Sequence, residues 1–380
     1  MTTDVFITRT ATFLPFDPVS NDEMEAVLGM AGGKPSRARR MILRSNGIQS
    51  RHYAIDRATG KNVLSNAQLT AAAIRALGSV EEIGPVDCLS VGTSMPDQLM
   101  PNHAVMVHGE LGWPRMEAVA FAGICMAGTA ALKHAWLSIK AGEAQRAIAT
   151  ASEVASVGLR GEFYAAETDH QIDALEAEPQ IAFEKDFLRW MLSDGAGALL
   201  LETAPRGPLS LRIEWIELSS AAHELSACMY MGAEKQPNGS LTSWFHYNHA
   251  ERGERSIFAV KQDVKLLNEH VVRATLREPL ALIAAKRNLT VEDIDWFLPH
   301  ISSMYFAEPA AAAMREIGLD VPRERWFTNL TSKGNTGSAS PYIMLDELFH
   351  SGRIQAGQHI LMFIPESGRF SSGFVMLEAV

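Results

Sequence analysis

The chain has 380 residues, 47% of them hydrophobic, with 34 Lys and Arg against 44 Asp and Glu and a formal net charge of -10. That length predicts two domains or one duplicated unit, and the acidic balance leaves no electrostatic footprint for nucleic acid. The three cysteines, Cys88, Cys125 and Cys228, have neither CxxC spacing nor an even count, which argues against a zinc site and against a disulfide framework.

Met1 to Pro15 lack the basic, apolar and small-residue order of a secretory signal, and no later segment runs apolar long enough to span a bilayer, so a cytoplasmic protein is expected. Short β-rich runs then alternate with alanine-rich helical ones, the pattern of an α/β protein. "VFITRTATFL" opens as a strand. "KPSRARRMILRSNGIQSR" follows, gathering Lys34, Arg37, Arg39, Arg40, Arg44 and Arg51 in one short region. It reads either as a solvated helix face or as a dock for an anionic partner. Further strands are expected at "VDCLSVGTS", "EAVAFAG", "RAIATAS" and "GALLLE", with helices over Ala67 to Ala76 and Met126 to Ala141. "APRGP" breaks the pattern and divides the chain into 1–206 and 207–380. Beyond it come strands "LRIEWIELSS", "DWFLPH", "HILMFIP" and "GFVMLEAV", and helices over Ile257 to Lys286, Met304 to Ile317 and Ser338 to His350. Glu162 to Arg189 and "AEKQPNGSLTSWFHYNHAERGER" are the least regular stretches, and long loops in a compact protein commonly serve as lids or tunnel walls.

Cys125 falls where the run "EAVAFAG" gives way to the helix at Met126. Unpaired N–H groups and the positive dipole end there favour a thiolate, which predicts a lowered thiol pKa. A buried small hydrophobe is the alternative reading for any lone cysteine in an apolar context, and the one that fits Cys88 and Cys228. In the second half, "DIDWFLPHISS" ends a strand at His300, and "NLTSKGNTGSAS" puts Asn335 in a glycine-flanked turn before a helix. All three lie at element ends, where scaffolds present reactive groups.

The landmarks "RSNGIQSRH", "VGTSMPDQLMPNHA", "FAGICMAG", "SDGAGALLLE", "FLPH", "KGNTGSAS" and "ESGRFSSGFVML", in that order, resemble the β-ketoacyl-acyl-carrier-protein synthase III group of the thiolase superfamily nearly end to end. The resemblance implies a five-layered αβαβα fold of two similar halves, a homodimer, and no bound cofactor or metal. Acyl-coenzyme A or acyl-carrier-protein thioesters would be the substrates. It makes Cys125 the acyl-accepting nucleophile and lets His300 and Asn335 hydrogen-bond the second thioester's carbonyl. Gly368 would join its N–H to that of Cys125 as an oxyanion hole. Met100 matches a position that reaches across the dimer into the partner's acyl tunnel, with ordinary core packing as the alternative. Arg37, Arg39, Arg40 and Arg44 lie where the family docks acidic carrier proteins or coenzyme A.

"ISSMYF" after His300, and "PESGRF" with Glu366 and Arg369, depart from the housekeeping pattern. "PESGRF" together with "PSRARRMILRSNGI" resembles ketosynthases of dialkylresorcinol and flexirubin-type pathways, which join two acyl thioesters and close a cyclohexanedione ring. Such a condensation without decarboxylation needs a base. Glu366 is a candidate, or else it forms an ion pair with Arg369 or another arginine and only shapes its loop. A starter synthase, an ester- or amide-forming acyltransferase, a chalcone-synthase relative and an inactive partner subunit are the competing readings. "HISS" in place of a His-Pro-Gly-Gly run speaks against the chalcone-synthase type.

Overall fold

The computed structural model describes residues 3–36, 39–164 and 188–380. Its main elements in chain order are β1 (Phe6–Phe13), α1 (Arg39–Asn46), α2 (Asn66–Ala76), β2 (Cys88–Thr93), α3 (His103–Leu111), β3 (Glu117–Ala122), α4 (Met126–Lys140), β4 (Arg146–Glu153) and β5 (Gly195–Glu202). The second half follows with β6 (Leu211–Ser220), α5 (Val264–Val272), α6 (Glu278–Arg287), β7 (Trp296–Pro299), α7 (Ala307–Glu316), α8 (Ser340–Phe349), β8 (His359–Glu366) and β9 (Ser371–Ala379).

The strands form one hydrogen-bonded sheet in the order β7-β8-β9-β6-β1-β5-β4-β2-β3. Within β2-β4-β5-β1 the neighbours run parallel, antiparallel, antiparallel, and the same sequence recurs in β7-β8-β9-β6. Only Phe6 and Ile7 of β1 bridge to β6 and join the two sets. A strand buried on both faces reads as a continuous apolar run, and β2 and β5 are buried along their whole length for that reason.

Helix α4 packs on β2 and β4 and also touches β8 and β9, while α8 packs on β1 and β5 and also touches β7. These two helices therefore form the central layer. Small residues let them in close. A Cβ on Gly92 would lie 2.4 Å from the Ala127 carbonyl carbon and oxygen, and one on Gly128 2.6 Å from the Ser338 oxygen. Helix α2 covers the outer face of the first set, and Trp215, Leu276, Leu280 and Phe297 build the core under the helices of the second. The arrangement is the expected five-layered αβαβα fold.

Two helices depart from expectation. The run predicted from Ile257 to Lys286 starts only at α5, where the Asp263 carboxylate accepts from the Leu266 N–H at 2.9 Å. It then passes through a π turn, Arg273–Arg277, before Pro279 in the first turn of α6. Proline lacks the N–H that would continue the α register, and a π turn absorbs the mismatch. Helix α3 was not expected. "HAVMVHGEL" carries no clear period, and Asn102 fixes it by accepting from the Val105 N–H at 3.1 Å.

Candidate active site

A cavity of about 550 Å³ opens between the two halves, and Cys125, Glu153, His300 and Asn335 all line it. Its remaining wall is mostly apolar and runs from Met191 and Leu192 to Leu267, Val271 and Leu276. Among the described residues the lining holds no lysine or arginine. No helix among the described residues is long and apolar enough to cross a membrane.

Cys125 is the N-cap of α4 and is buried. The expected lowering of its thiol pKa is not what the site produces. Burial pushes the thiol up, the nearby Glu366 and Glu153 carboxylates push it further, and only its own backbone N–H opposes them. The fractional positive charge at a helix N-terminus does not outweigh desolvation plus two like-signed neighbours. Cys125 rests as a thiol.

His300 follows β7, its N–H donating to the Phe363 oxygen at 2.8 Å. Burial alone lowers its pKa to about 4, so the imidazole is neutral and keeps one N–H donor. Asn335 is held on both sides of its peptide: its N–H donates to the Met191 oxygen at 2.9 Å, and its oxygen accepts from the Ser193 N–H at 2.8 Å. Its side-chain Oδ1 accepts from the Gly337 N–H at 2.9 Å. That bond fixes the amide orientation and leaves the NH2 as the free half.

Glu153, the last residue of β4, was missed from sequence. It is 4% exposed, and its Oε1 accepts from the Ser94 hydroxyl at 2.6 Å, the Ser338 hydroxyl at 2.6 Å, the Ser94 N–H at 3.0 Å and the Ser338 N–H at 3.3 Å. Burial raises its pKa to about 7 despite those donors. An acidic residue closing the otherwise apolar strand "RAIATASE" was the available signal.

Several other expectations are corrected. Arg369 does not pair with Glu366; its Nε donates to the Leu225 oxygen at 3.1 Å. Glu366 instead accepts from the Gly368 N–H, so that N–H is not a free oxyanion donor in this structure. Burial raises the Glu366 pKa, opposed by backbone donors of Gly368, Arg369 and Ser371. Met100 is 81% exposed, which removes the core-packing reading; it does not line the cavity, whereas the adjacent Leu99 does. In the basic run, Arg37 lies outside the described residues, and Arg39 is paired with Glu25 at 2.8 Å. Arg51 is fully buried, donating to the Trp190 oxygen at 2.9 Å, and is structural. Arg40 and Arg44 remain exposed on α1, which packs against the Met304–Phe306 turn beside the cavity.

The model of the 3-oxoacyl-[acyl-carrier-protein] synthase III C-terminal family matches residues 284–375. The β-ketoacyl-[acyl-carrier-protein] synthase III of Xanthomonas oryzae pv. oryzae is 26% identical over 374 residues, covering 98% of this chain and 97% of its own length. Over nearly its whole length the chain is thus similar to the ketosynthases III, and a C-terminal segment of it matches their family model. Solved structures show the same fold. AbyA1, a tetronic acid condensing enzyme, superimposes with a TM-score of 0.72 at 20% identity, covering 98% of this chain and 99% of its own. Xanthomonas campestris OleA, solved with lauric acid and lauroyl-CoA, has a TM-score of 0.72 at 18% identity over 100% of both chains. The synthase III of Pseudomonas aeruginosa gives 0.69 at 19% identity, covering 99% of this chain and 98% of its own. This ketosynthase is an acyltransferase of the condensing type.

Proposed function

We propose that this ketosynthase joins two acyl thioesters through a Cys125 acyl-enzyme, condensing a β-ketoacyl thioester with a second acyl thioester toward a cyclohexanedione precursor of dialkylresorcinols. The observation that carries the reading is one cavity lined by Cys125, His300 and Asn335 with no lysine or arginine in its wall among the described residues. In the first step the Cys125 sulfur attacks the donor carbonyl. The C–S bond to the donor breaks, and the thiol proton ends on the departing thiolate. In the second, the neutral His300 N–H and the Asn335 NH2 hydrogen-bond the other thioester's carbonyl oxygen as negative charge develops there. Apolar walls take the alkyl chains. A malonyl carboxylate would meet Glu153 and no cation, which weighs against the decarboxylative starter reaction of the synthase III relatives.

Residues 1–206 and 207–380 serve as the two halves, the first supplying Cys125 and the second His300 and Asn335. The edge strand β3 and the exposed Leu99 and Met100 suit a homodimer in which Met100 reaches the partner's tunnel. Arg40 and Arg44 would receive an acidic carrier protein or the phosphates of coenzyme A. Gly368 joins Cys125 as an oxyanion donor once the Glu366 carboxylate turns away. The test is incubation with a β-ketoacyl thioester and an α,β-unsaturated acyl thioester, followed by mass analysis. A cyclohexanedione supports the proposal; an ester, an amide, or condensation only from malonyl thioester refutes it.

A further inference from the structure

Condensing two thioesters without loss of carbon dioxide requires removal of a C2 proton, and a carboxylate or imidazole at the cavity can receive it only through an oxygen or nitrogen that is not already engaged. His300 does not, while it serves as donor to the same thioester: the imidazole nitrogen facing that carbonyl carries the N–H and cannot also accept there. Asp97 lines the cavity too, but its two oxygens accept from the Asn66 N–H at 2.7 Å and the Ala67 N–H at 2.9 Å, capping α2. Glu366 is not part of the lining, although its neighbours Pro365 and Ser367 are, and backbone N–H groups of its own turn occupy it.

Glu153 differs from all of these. Its hydrogen bonds from Ser94 and Ser338 all converge on Oε1, so among the described residues Oε2 has no protein donor. The side chain lies against the turn that holds Asn335: a Cβ on Gly337 would be 3.0 Å from the Glu153 Cγ, and the Gly337 N–H is the group that orients the Asn335 amide. Glu153 thus lines the cavity that His300 and Asn335 share with one carboxylate oxygen locked and the other without a protein donor among the described residues.

We propose that Glu153 is the catalytic base that removes the C2 proton of the second thioester. The inference rests on the two-thioester reading above. Glu153 Oε2 takes the proton as the C2–H electron pair forms the enolate, whose oxygen is held by His300 and Asn335. The enolate carbon attacks the Cys125 thioester carbonyl, making the carbon–carbon bond. The C–S bond of the acyl-enzyme then breaks, and the leaving sulfur of Cys125 recovers the proton from Glu153. A base whose pKa has been brought near the working pH is the efficient kind, and burial has moved Glu153 in that direction.

The experiment uses the full-length enzyme in D2O with an acyl-coenzyme A, reading three quantities: acylation of Cys125 by mass, deuterium entry at C2 of the thioester, and condensed product. Glu153→Gln, which keeps an oxygen for Ser94 and Ser338, should leave acylation intact and lower C2 exchange and condensation together by about 10²–10⁴-fold. Glu153→Asp should restore part of both and shift the pH profile, and it carries the test if the Gln variant does not fold. Exchange and condensation at the wild-type rate in Glu153→Gln, with an unmoved pH profile, would overturn the base while leaving the condensation standing. Wild-type enzyme that acylates Cys125 yet incorporates no deuterium and condenses only malonyl thioester would overturn both. Absence of acylation with active product formation would instead remove the Cys125 mechanism.

Discussion

Gly92→Ala tests the packing that presents Cys125. Gly92 has ordinary extended backbone, so an alanine there is not strained by its dihedral angles; the cost is space alone. The added methyl would stand 2.4 Å from the Ala127 carbonyl carbon and oxygen and 2.6 Å from the Gly128 nitrogen. These are backbone atoms of the first turn of α4, and they cannot swing aside as a side chain would. Ordinary carbon contacts need about 3.5 Å or more, so the start of α4 must retreat from β2 by about 1 Å. Overpacking of this kind costs about 1–3 kcal/mol. Because Cys125 immediately precedes that turn, a displacement of about 1 Å should slow acylation on the order of 10²-fold, beyond what the stability loss explains. The matched control is Gly109→Ala in α3, where an added methyl meets nothing within 4 Å; it should stabilise by roughly 0.5–1 kcal/mol and leave acylation unchanged. Urea unfolding and time-resolved mass spectrometry of the acyl-enzyme read both effects. Equal acylation rates in the two variants would refute the claim that the β2–α4 approach sets the position of the sulfur.

Three further outcomes are expected. Tyr342→Phe removes the hydroxyl that donates to the Gly128 oxygen at 2.8 Å between α8 and α4, leaving a buried carbonyl without that donor; urea unfolding should show a loss of about 1–3 kcal/mol. Glu153 has a folded pKa of about 7 against an ordinary 4.5, so its contribution is intact below pH 4.5 and is lost as pH rises through 7. The stability of Glu153→Gln relative to wild type should therefore improve between pH 5 and 8 by on the order of 3 kcal/mol, and parallel pH curves would refute the raised carboxyl. Charge reversal at Arg40 and Arg44 should weaken turnover with carrier-protein thioesters at low salt while sparing small pantetheine thioesters; equal effects on both substrates would exclude docking at α1.

All nine strands of the large sheet were legible as apolar or alternating runs, because burial on one or both faces writes itself into local sequence. Cys125, His300 and Asn335 stood out by their places at element ends. What local reading could not reach is what depends on distant partners. The acidity of Cys125 was misjudged from its helix N-terminus alone, because Glu153 arrives from β4 and Glu366 from β8. Arg51 looked like part of a basic patch, yet its guanidinium is buried against Trp190 by a chain reversal invisible in a short window. Met100 is apolar and reads equally well as core or surface; only the folded loop exposes it.

The charges of the site also decide the form in which it waits. An ionised Cys125 sulfur and an ionised Glu153 would repel each other in a cavity with no cation in its lining among the described residues, so the resting site holds a neutral thiol. Acylation exchanges that neutral thiol for a neutral thioester, and no charge facing Glu153 is lost. The ionisation of Glu153 is therefore set by its burial and by the donors of Ser94 and Ser338, none of which acylation of the sulfur removes. A pH profile for C2 exchange measured with and without prior acylation of Cys125 should show coincident rising limbs. A limb at lower pH in the acylated enzyme would mean that the sulfur carries charge at rest and that Cys125 does not wait as a thiol.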